Sequence, residues 1–234
     1  MGGEGEGNPE VHGEGHTIVK RAAAAGQRLS GWFELAWLYA LSLYKGWETK
    51  ALFRNVETYC MFIGYPRSGH SLIGSLLDAH PEVIIAHELD ALRYVRAGFG
   101  REQLCYLLLE NSQRYAREGR QETGYSYDVP NQWQGKFGKL RVIGDKKGGR
   151  STFALGAHCE LIERLRNVVG VPVKFIHVMR NPYDNIATIS IQHTKQTLKS
   201  SIDYYFSLCR IVADLKKQIR RDDLFEMKQE AFIE

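Results

Sequence analysis

The sequence has only four cysteines, and their placement does not suggest a disulfide framework or a metal site. Cys60, Cys105, Cys159 and Cys209 are widely separated, without a CxxC pair and without a Cys/His pair at zinc-ligand spacing. We interpret them as buried thiols. Disulfide-rich secreted modules and structural zinc domains are therefore excluded as classes for this chain.

The chain also lacks the apolar core of a secretory signal peptide and a strong excess of one charge. Residues 1–30 combine many glycines with scattered charge, which predicts a flexible arm. Lys and Arg number 31 against 27 Asp and Glu, for a net charge of +4, far from the balance of a nucleic-acid-binding protein. Apolar residues make up 44%, so we expect a folded globular chain without a nucleic acid partner.

No apolar run is long enough to cross a membrane. Residues 32–44 are apolar apart from Glu34 and Ser42, and as a helix they would be roughly 20 Å long against a hydrocarbon core of about 30 Å. We predict an N-terminal helix over 31–50 that packs on the domain. The alternative is an interfacial helix that makes peripheral membrane contact through 32–44. Without a clear signal peptide or anchor, the cytoplasm and the Golgi lumen both stay open as compartments.

Short apolar runs alternate with helical patterns from residue 56 onward. Helical spacing is present in 71–79, 153–168 and 202–219, and Ser200 with Asp203 would cap the last of these. The apolar runs predict strands at 59–63, 83–86, 140–143, 173–179 and 224–227. This alternation predicts an α/β fold of the P-loop type, a doubly wound and mostly parallel sheet with helices on both faces.

A phosphate loop follows the first predicted strand. Gly64 to Ser71, GYPRSGHS, has the spacing GxxxxGK[ST] of a Walker A loop, with His70 in place of the lysine. Backbone N–H groups and the start of the next helix would still hold an anion there, with Arg67 as the fixed positive charge. The alternative is a tight turn between strand and helix with no ligand.

The residues around this loop resemble a known family. YPRSGHSL at 65–72, followed by LLDAHPEV at 76–83, is similar to the 5′-phosphosulfate-binding segment of the sulfotransferases that use 3′-phosphoadenosine 5′-phosphosulfate (PAPS). The nearest motifs are those of the tyrosylprotein and carbohydrate types. His70 stands where that family usually has Thr. The resemblance implies PAPS as donor, no metal, and cofactor binding by Arg67, Ser68, Gly69, His70 and Ser71.

A second segment extends the resemblance to the other end of the nucleotide. Met179 to Asp184, MRNPYD, follows a predicted strand, and Pro182 suits the first turn of a helix. It resembles the family's RNPxDxxxS segment, in which an arginine and a hydroxyl eight positions later hold the 3′-phosphate. The resemblance therefore implies Arg180 and Thr188 as cofactor ligands, with Ser190 as a nearby substitute.

The resemblance also implies catalytic residues. Glu88 follows the strand at 83–86, at the position of the general base in tyrosylprotein sulfotransferases, and His87 is the alternative base. Lys146 lies in a segment similar to the family's GxK and would neutralise the leaving group together with Arg67. Lys147 takes this role if the register shifts by one.

The predicted reaction is transfer of a sulfuryl group from PAPS to an acceptor hydroxyl, on a carbohydrate, a tyrosyl peptide or a small alcohol. Residues 115–139 are polar and without a clear period, so we expect a surface excursion near the ligand. Family members generally continue beyond a strand like 224–227, so the domain at 56–234 is expected to be incomplete at its C-terminus. Two alternatives stay open. They are a P-loop kinase or hydrolase with a degenerate Walker A loop, for which Asp145 is a poor metal ligand, and an inactive nucleotide-binding module.

Overall fold

The computed structural model describes residues 14–122, 124–192 and 197–232. It divides the chain into two compact units, one that ends at Leu41 and one that spans Ser42–Glu234. The second unit contains the predicted α/β domain.

The first helix, α1, extends over Glu14–Thr49 and so begins inside the segment predicted to be a flexible arm. The run of alanines at 22–25 accounts for this difference, because alanine is the strongest helix former. The arm's residues 1–13 lie outside the described residues. Within the described ranges, no helix is long and apolar enough to cross a membrane.

Five parallel strands form the central sheet, in the order β2, β5, β1, β6, β7. A separate antiparallel hairpin consists of the two-residue strands β3 and β4. The bounds are β1 Thr58–Gly64, β2 Val83–His87, β3 Gln121–Glu122, β4 Tyr125–Ser126, β5 Val142–Lys146, β6 Val173–Met179 and β7 Leu224–Lys228. The predicted α/β fold with a parallel sheet is confirmed.

Helices cover both faces of this sheet. Their bounds are α2 His70–Asp78, α3 Ala91–Arg96, α4 Arg101–Arg117, α5 Gly148–Ala157, α6 Leu161–Val169, α7 Pro182–Gln192 and α8 Leu198–Gln218. Short 3-10 turns lie at Lys50–Phe53, Arg221–Asp223 and Glu230–Phe232. Helices α2 and α4 pack against β2, whereas α5 and α8 pack against β1.

Two sequence predictions of local structure were wrong in detail. The third strand was placed at 140–143 but occupies Val142–Lys146, because Asp145 and Lys146 pair in register with the end of β2 although they are polar. Helix α8 is capped by Thr197, whose side chain accepts the N–H of Ser200 at 3.1 Å. Ser200 therefore lies inside the first turn and is not the cap.

The core lies on both sides of β1. After Thr58 every residue of β1 is buried, as expected for a central parallel strand with a helix layer on each face. Phe62, Ile176 and Val178 form one buried cluster with Ile73 of α2. The cysteines only partly fit the predicted buried thiols, because Cys60 and Cys105 are buried but Cys159 is exposed.

The chain reverses its direction of strand addition at β1. From β1 it crosses to β2 on one side, and from β5 it crosses back over β1 to β6 and then β7 on the other. In a parallel sheet, this reversal opens a crevice at the carboxyl ends of the strands, which is where such folds bind ligands.

Close strand packing generates a first prediction, at Gly144 in β5. A Cβ atom at this position would lie 2.2 Å from the backbone oxygen of Cys60 on the neighbouring strand, a clash that side-chain movement cannot relieve. We expect Gly144→Ala to lower the free energy of unfolding by about 1–3 kcal/mol, measured by urea denaturation. Gly138→Ala is the control, because its nearest neighbour is 3.9 Å away. Equal stability of the two variants would contradict the close packing.

Candidate active site

A cavity of about 760 Å³ lies at the carboxyl edge of the sheet. Each of the five parallel strands delivers a lining residue at or just beyond its carboxyl end: Arg67 after β1, Glu88 after β2, Lys146 at the end of β5, Arg180 after β6 and Gln229 after β7. Side chains that are far apart in the sequence therefore face one space.

Most of the predicted site residues line this cavity. They are Arg67, Gly69, His70, Ser71, Glu88, Lys146, Arg180 and Thr188, with the alternative Lys147. Ser68 does not line it. The Ser68 side chain is fully buried, and its hydroxyl donates to the carbonyl of Tyr65 at 2.8 Å, so it holds the loop together from behind.

The phosphate loop, residues 64–71, is held in an unusual backbone conformation. Gly64, Arg67 and Gly69 all have positive φ, at 130°, 68° and 90°. A Cβ atom at Gly69 would also lie 2.9 Å from the side chain of Gln229, which would have to move to make room for it. Arg67 is not glycine, so its left-handed conformation is strained and has to be held by its surroundings.

Buried polar groups hold the loop. The N–H of Gly64 donates to Thr152 Oγ1 at 2.8 Å, which ties the loop to α5. With its amide nitrogen facing the loop, the buried Asn185 of α7 donates to the carbonyls of Pro66 and Arg67, at 3.0 Å each. Two helices from distant parts of the sequence therefore fix the conformation of the loop.

His70 replaces the Walker A lysine but does not provide a charge. Its ring is buried, and a Cβ atom on Gly148 would lie 2.5 Å from it, so the ring occupies space that this glycine leaves free. Burial, reinforced by the nearby ammonium of Lys146, lowers the pKa of His70 to about 3. The ring is neutral at pH 7, and its Nε2 has no hydrogen-bond partner among the described residues.

Lys146 is the central cation of the site. Its side chain is only 2% exposed, and its Nζ donates to Ser71 Oγ at 2.9 Å and to Glu88 Oε1 at 3.1 Å. Gly74 of α2 makes room for it, because a Cβ atom there would lie 3.0 Å from Lys146 Cγ. The Lys146 side chain thus packs against α2, and its ammonium group lies at the cavity.

Glu88 is held between two lysines. Its carboxylate pairs with Lys146 and with Lys147, and its backbone has a positive φ of 57°. Burial by itself would raise the pKa of Glu88, but the two ammonium groups outweigh it and hold that pKa below the ordinary value. Glu88 is therefore ionised at neutral pH, and its oxygens are occupied.

Asp145, the candidate metal ligand of the rival kinase hypothesis, supports the backbone. Its buried carboxylate accepts the N–H groups of Leu89 and Ala91 at 3.1 and 2.8 Å, and so fixes the turn that carries Glu88. Burial raises the pKa of Asp145 to about 6. In the described part of the chain, no group of His, Cys, Asp and Glu side chains has the arrangement of a metal site.

Glu122 is a site residue that sequence reasoning missed. From strand β3 its Oε2 accepts from His87 Nε2 at 2.8 Å and from Ser71 Oγ at 3.1 Å, and it lies 4.0 Å from Lys146 Nζ. The hydrogen bond from His87 is the main reason why the pKa of Glu122 falls to about 2. His87 also stacks on Tyr115, with ring centroids 3.8 Å apart.

A buried ion pair positions this hairpin. Arg120, 2% exposed, pairs with the fully buried carboxylate of Asp78 at the end of α2. Asp78 also accepts the hydroxyl of Ser112 and the N–H groups of Ile85 and Gly135. The pair thus joins α2, β2, α4 and the excursion at 115–139, and it brings β3 and β4 to the cavity.

The predicted surface excursion does lie at the site. Besides Glu122, it contributes Tyr125, Ser126 and Tyr127 to the cavity wall. Pro66 and Leu72 of the segment 65–72 also line the cavity. The lining residues that the sequence did not indicate are Gly148, Gly149, Arg150, Tyr204 and Gln229. In the sequence, the hairpin is indicated only by a polar segment without helical or strand periodicity. That pattern does not identify individual site residues.

The second predicted anion site opens into the same cavity as the first. Arg180 Nη1 donates to the carbonyl of Arg67 at 3.3 Å, so the two motifs are in direct contact. Asn181 caps α7 by accepting the N–H of Tyr183 at 2.9 Å, and the helix begins at Pro182, as predicted. Thr188 lies on this helix, where its hydroxyl donates to the carbonyl of Asp184 at 2.7 Å.

The charges around the cavity favour an anion. Its lining has five cationic side chains, Arg67, Lys146, Lys147, Arg150 and Arg180, against the carboxylates of Glu88 and Glu122. Arg150 is partly committed, because it pairs with Asp90 at 2.9 Å. Positive groups in a concave site raise the local concentration of anions and strengthen their binding.

Comparison with known proteins gives a similarity of fold. No protein-family model and no curated protein sequence matches this chain. Among solved structures, it is similar to the sulfotransferase domain of the olefin synthase from Synechococcus PCC 7002, with a TM-score of 0.44 and 16% sequence identity. The match covers 74% of this chain and 66% of that one, so it spans just under two thirds of that domain. At this identity the likeness concerns the fold alone.

The buried, neutral His70 generates a second prediction. Its pKa of about 3 in the folded chain lies below the ordinary histidine value of 6.5, so in between the unfolded chain binds a proton that the folded chain does not. Stability is therefore lost as pH falls through this window. From pH 7 to pH 5, we expect the wild type to lose about 1–2 kcal/mol more unfolding free energy than His70→Asn.

Urea denaturation of both proteins at the two pH values measures this difference. Asp145, whose raised pKa acts in the opposite sense, is common to both proteins and cancels. Parallel pH dependences for the two proteins would show that His70 is not buried in the neutral form.

Proposed function

We propose that this chain is a sulfotransferase that takes PAPS as donor and a hydroxyl compound as acceptor. The observation that carries the proposal is the meeting of two sequence motifs in one cavity. Arg67, in the phosphosulfate-type loop, and Arg180, in the 3′-phosphate-type segment, line the same space and are in contact through the Arg67 carbonyl. A nucleotide with an anionic group at each end fits this pair of sites.

The residues present fit such a nucleotide. Arg67, Lys146 and Arg180 all line the cavity and supply the hydrogen-bond donors and the positive charge that an anionic nucleotide requires. Arg67, Ser71 and Lys146 would hold the 5′-phosphosulfate, and the N–H groups of the loop would add donors. Arg180 and Thr188 would hold the 3′-phosphate.

The same geometry disfavours the kinase and hydrolase alternative. A Walker A loop needs a cationic side chain where this chain has a buried, neutral His70. Asp145, the proposed metal ligand, uses its carboxylate on two backbone N–H groups. Arg180 and Thr188 have no counterpart in a site for a nucleoside triphosphate, which lacks a 3′-phosphate.

Glu88 is the general base of the proposed reaction. When bound, the donor supplies the sulfuryl group: its S–O bond to the 5′-phosphate breaks as the acceptor oxygen bonds to sulfur. Glu88 receives the hydroxyl proton, since it is ionised and lies beside Lys146. Lys146 and Lys147 stabilise the charge that develops on the departing phosphate.

His87 is the weaker candidate base. Glu122 is ionised and its Oε2 lies 2.8 Å from His87 Nε2, so this nitrogen carries a hydrogen and donates a hydrogen bond to Glu122. Burial is the main cause that lowers the pKa of His87, and the stacked Tyr115 fixes its ring. The geometry favours His87 as a residue that positions Glu122.

The acceptor would enter past the hairpin. Tyr125 and Tyr127 of the excursion and Tyr204 of α8 provide aromatic and hydroxyl surface at the cavity wall. This wall suits a ring-bearing acceptor, and carbohydrates and tyrosyl peptides as well as small alcohols belong in a screen. Transfer of radiolabelled sulfate from PAPS to each class measures the preference.

The nucleotide preference is the third prediction. We expect adenosine 3′,5′-bisphosphate to bind more tightly than ATP, because only the former has a 3′-phosphate for Arg180. Loss of a charge-assisted hydrogen bond costs about 1.5–3 kcal/mol, so Arg180→Ala should weaken bisphosphate binding roughly 10- to 100-fold. Calorimetric titration with both nucleotides measures this.

Arg114→Ala is the matched control for Arg180→Ala, because Arg114 is an exposed arginine of α4 that does not line the cavity. Tighter binding of ATP than of the bisphosphate would favour the kinase or hydrolase. If the Arg180→Ala protein binds the bisphosphate as tightly as the wild type does, Arg180 does not hold the 3′-phosphate.

The role of Glu88 is the fourth prediction. Removal of a general base lowers turnover by about 10²- to 10⁴-fold, so Glu88→Gln should lose sulfate transfer while bisphosphate binding is kept or improved. Glu118→Gln, an exposed change outside the cavity, should leave both unchanged. If the wild type binds the bisphosphate and transfers no sulfate to any acceptor class, the chain is a binding module and not an enzyme.

A further inference from the structure

The end of helix α1 is anchored along one side. Within the unit Ser42–Glu234, Gly46 approaches the backbone of α4 so closely that a Cβ atom would lie 2.7 Å from the carbonyl of Glu102. Beside it, Gln103 Nε2 donates to Ser42 Oγ at 3.2 Å. These contacts determine which side of the helix faces the domain and which side is directed away from it.

The side directed away from the domain is apolar. Leu43 is 56% exposed, Tyr44 59% and Trp47 65%, and Leu52 in the following 3-10 turn is 44% exposed. Residues 43, 44 and 47 follow helical spacing and so share one face. We call these four side chains the apolar ridge. Large apolar groups exposed together mark an interaction surface, whereas single ones do not.

Two cations lie beside this ridge. Lys50 Nζ is 5.4 Å from the centroid of the Trp47 ring, and Lys45 Nζ, which pairs with Glu48 at 2.8 Å, is 5.5 Å from that of Tyr44. The chain after the ridge then forms a second cavity, of about 400 Å³. Its lining residues are Lys50, Ala51, Phe53, Arg54, Arg101 and Glu102. Three cations against one carboxylate make it a basic pocket.

We propose that the apolar ridge and the basic pocket together dock this protein on an anionic lipid surface. The ridge would enter the interface between headgroups and acyl chains, where the amphipathic rings of Trp and Tyr are favoured. The basic pocket would hold a headgroup phosphate beside it, through Lys50, Arg54 and Arg101. The site shares no lining residue with the donor cavity and does not depend on the proposed sulfotransferase activity.

The charges favour a lipid surface over a second copy of the chain. A symmetric dimer formed through this surface would bring each basic pocket near its own copy, and like charges repel. An anionic bilayer presents the opposite charge along its whole surface. The expectation from the sequence placed membrane contact at 32–44, whereas the ridge and the pocket centre the proposed contact on 43–54.

The first unit has exposed aromatic side chains of its own. Trp32, Phe33 and Trp37 of α1 are between 67% and 74% exposed. Side chains of this kind add affinity for a lipid interface wherever they can reach it. The proposal does not require them, and the variants that test it change only the ridge and the pocket.

Flotation of the full chain with vesicles tests the proposal. The wild type should float with vesicles of phosphatidylcholine and phosphatidylglycerol and bind phosphatidylcholine alone much more weakly. The triple variant Lys50→Gln/Arg54→Gln/Arg101→Gln should bind the anionic vesicles at least roughly tenfold more weakly, since each basic residue near such a surface contributes to affinity. Tyr44→Ser/Trp47→Ser should weaken binding to both vesicle types.

Two matched controls separate this surface from general charge and apolarity. Lys136→Gln/Lys139→Gln/Lys217→Gln removes the same charge from exposed positions outside the pocket, and Phe225→Ser removes a 61% exposed aromatic on β7. Both should bind as the wild type does, with folding of all variants checked by circular dichroism.

Three results would overturn the proposal. The first is a wild type that floats with neither kind of vesicle. The second is a loss of binding in the control variants as large as that in the test variants. The third is a dimer in light scattering that Trp47→Ser abolishes while vesicles are not bound. Because the assay uses no nucleotide, its failure would leave the sulfotransferase proposal untouched, and failure of nucleotide binding would leave this one untouched.

Discussion

Parallel pairing of the five strands is the constraint on which the site depends. It forces every carboxyl end to the same edge of the sheet, so each strand places its next residues against one cavity. Arg67, Glu88, Lys146 and Arg180 come from four strands separated by whole helices in the sequence. The sheet brings these residues together, because they are far apart in the sequence. In an antiparallel sheet, every second strand would place its carboxyl end at the opposite edge.

Burial of the Lys146 ammonium then organises the polar groups around it. A buried charge is costly unless it is paired and hydrogen-bonded, and here Ser71 and Glu88 supply the partners, with the carboxylate of Glu122 4.0 Å away. Two carboxylates therefore lie in a cavity that is otherwise suited to anions. An anionic ligand that enters would compete with these carboxylates for Lys146. Its binding free energy would therefore be the difference between the ion pair it forms with Lys146 and the pairs it displaces.

The sequence predicts those parts of the site that follow directly from strand ends. Arg67, Glu88 and Arg180 each come just after an apolar run, so their positions could be predicted from the sequence. The phosphate loop could be predicted as well, because its glycines have a recognisable spacing. Glu122 could not be, because its position depends on the buried pair of Arg120 with Asp78, which are 42 residues apart. Ser68 shows that a motif position does not by itself give the direction of a side chain, because its buried hydroxyl donates to the carbonyl of Tyr65 within the loop.

Glu88 shows how the proposed chemistry would be coupled to binding. With both lysines attached, its pKa is held below the ordinary value, so it is ionised but a weak base. An anionic donor that draws Lys146 and Lys147 toward itself removes the groups that lower this pKa, while burial, which raises it, stays in place. The carboxylate would then become a stronger base at the moment the donor is bound. Proton acceptance would thus be tied to occupation of the donor site, and Glu88 would remain paired with its lysines when that site is empty.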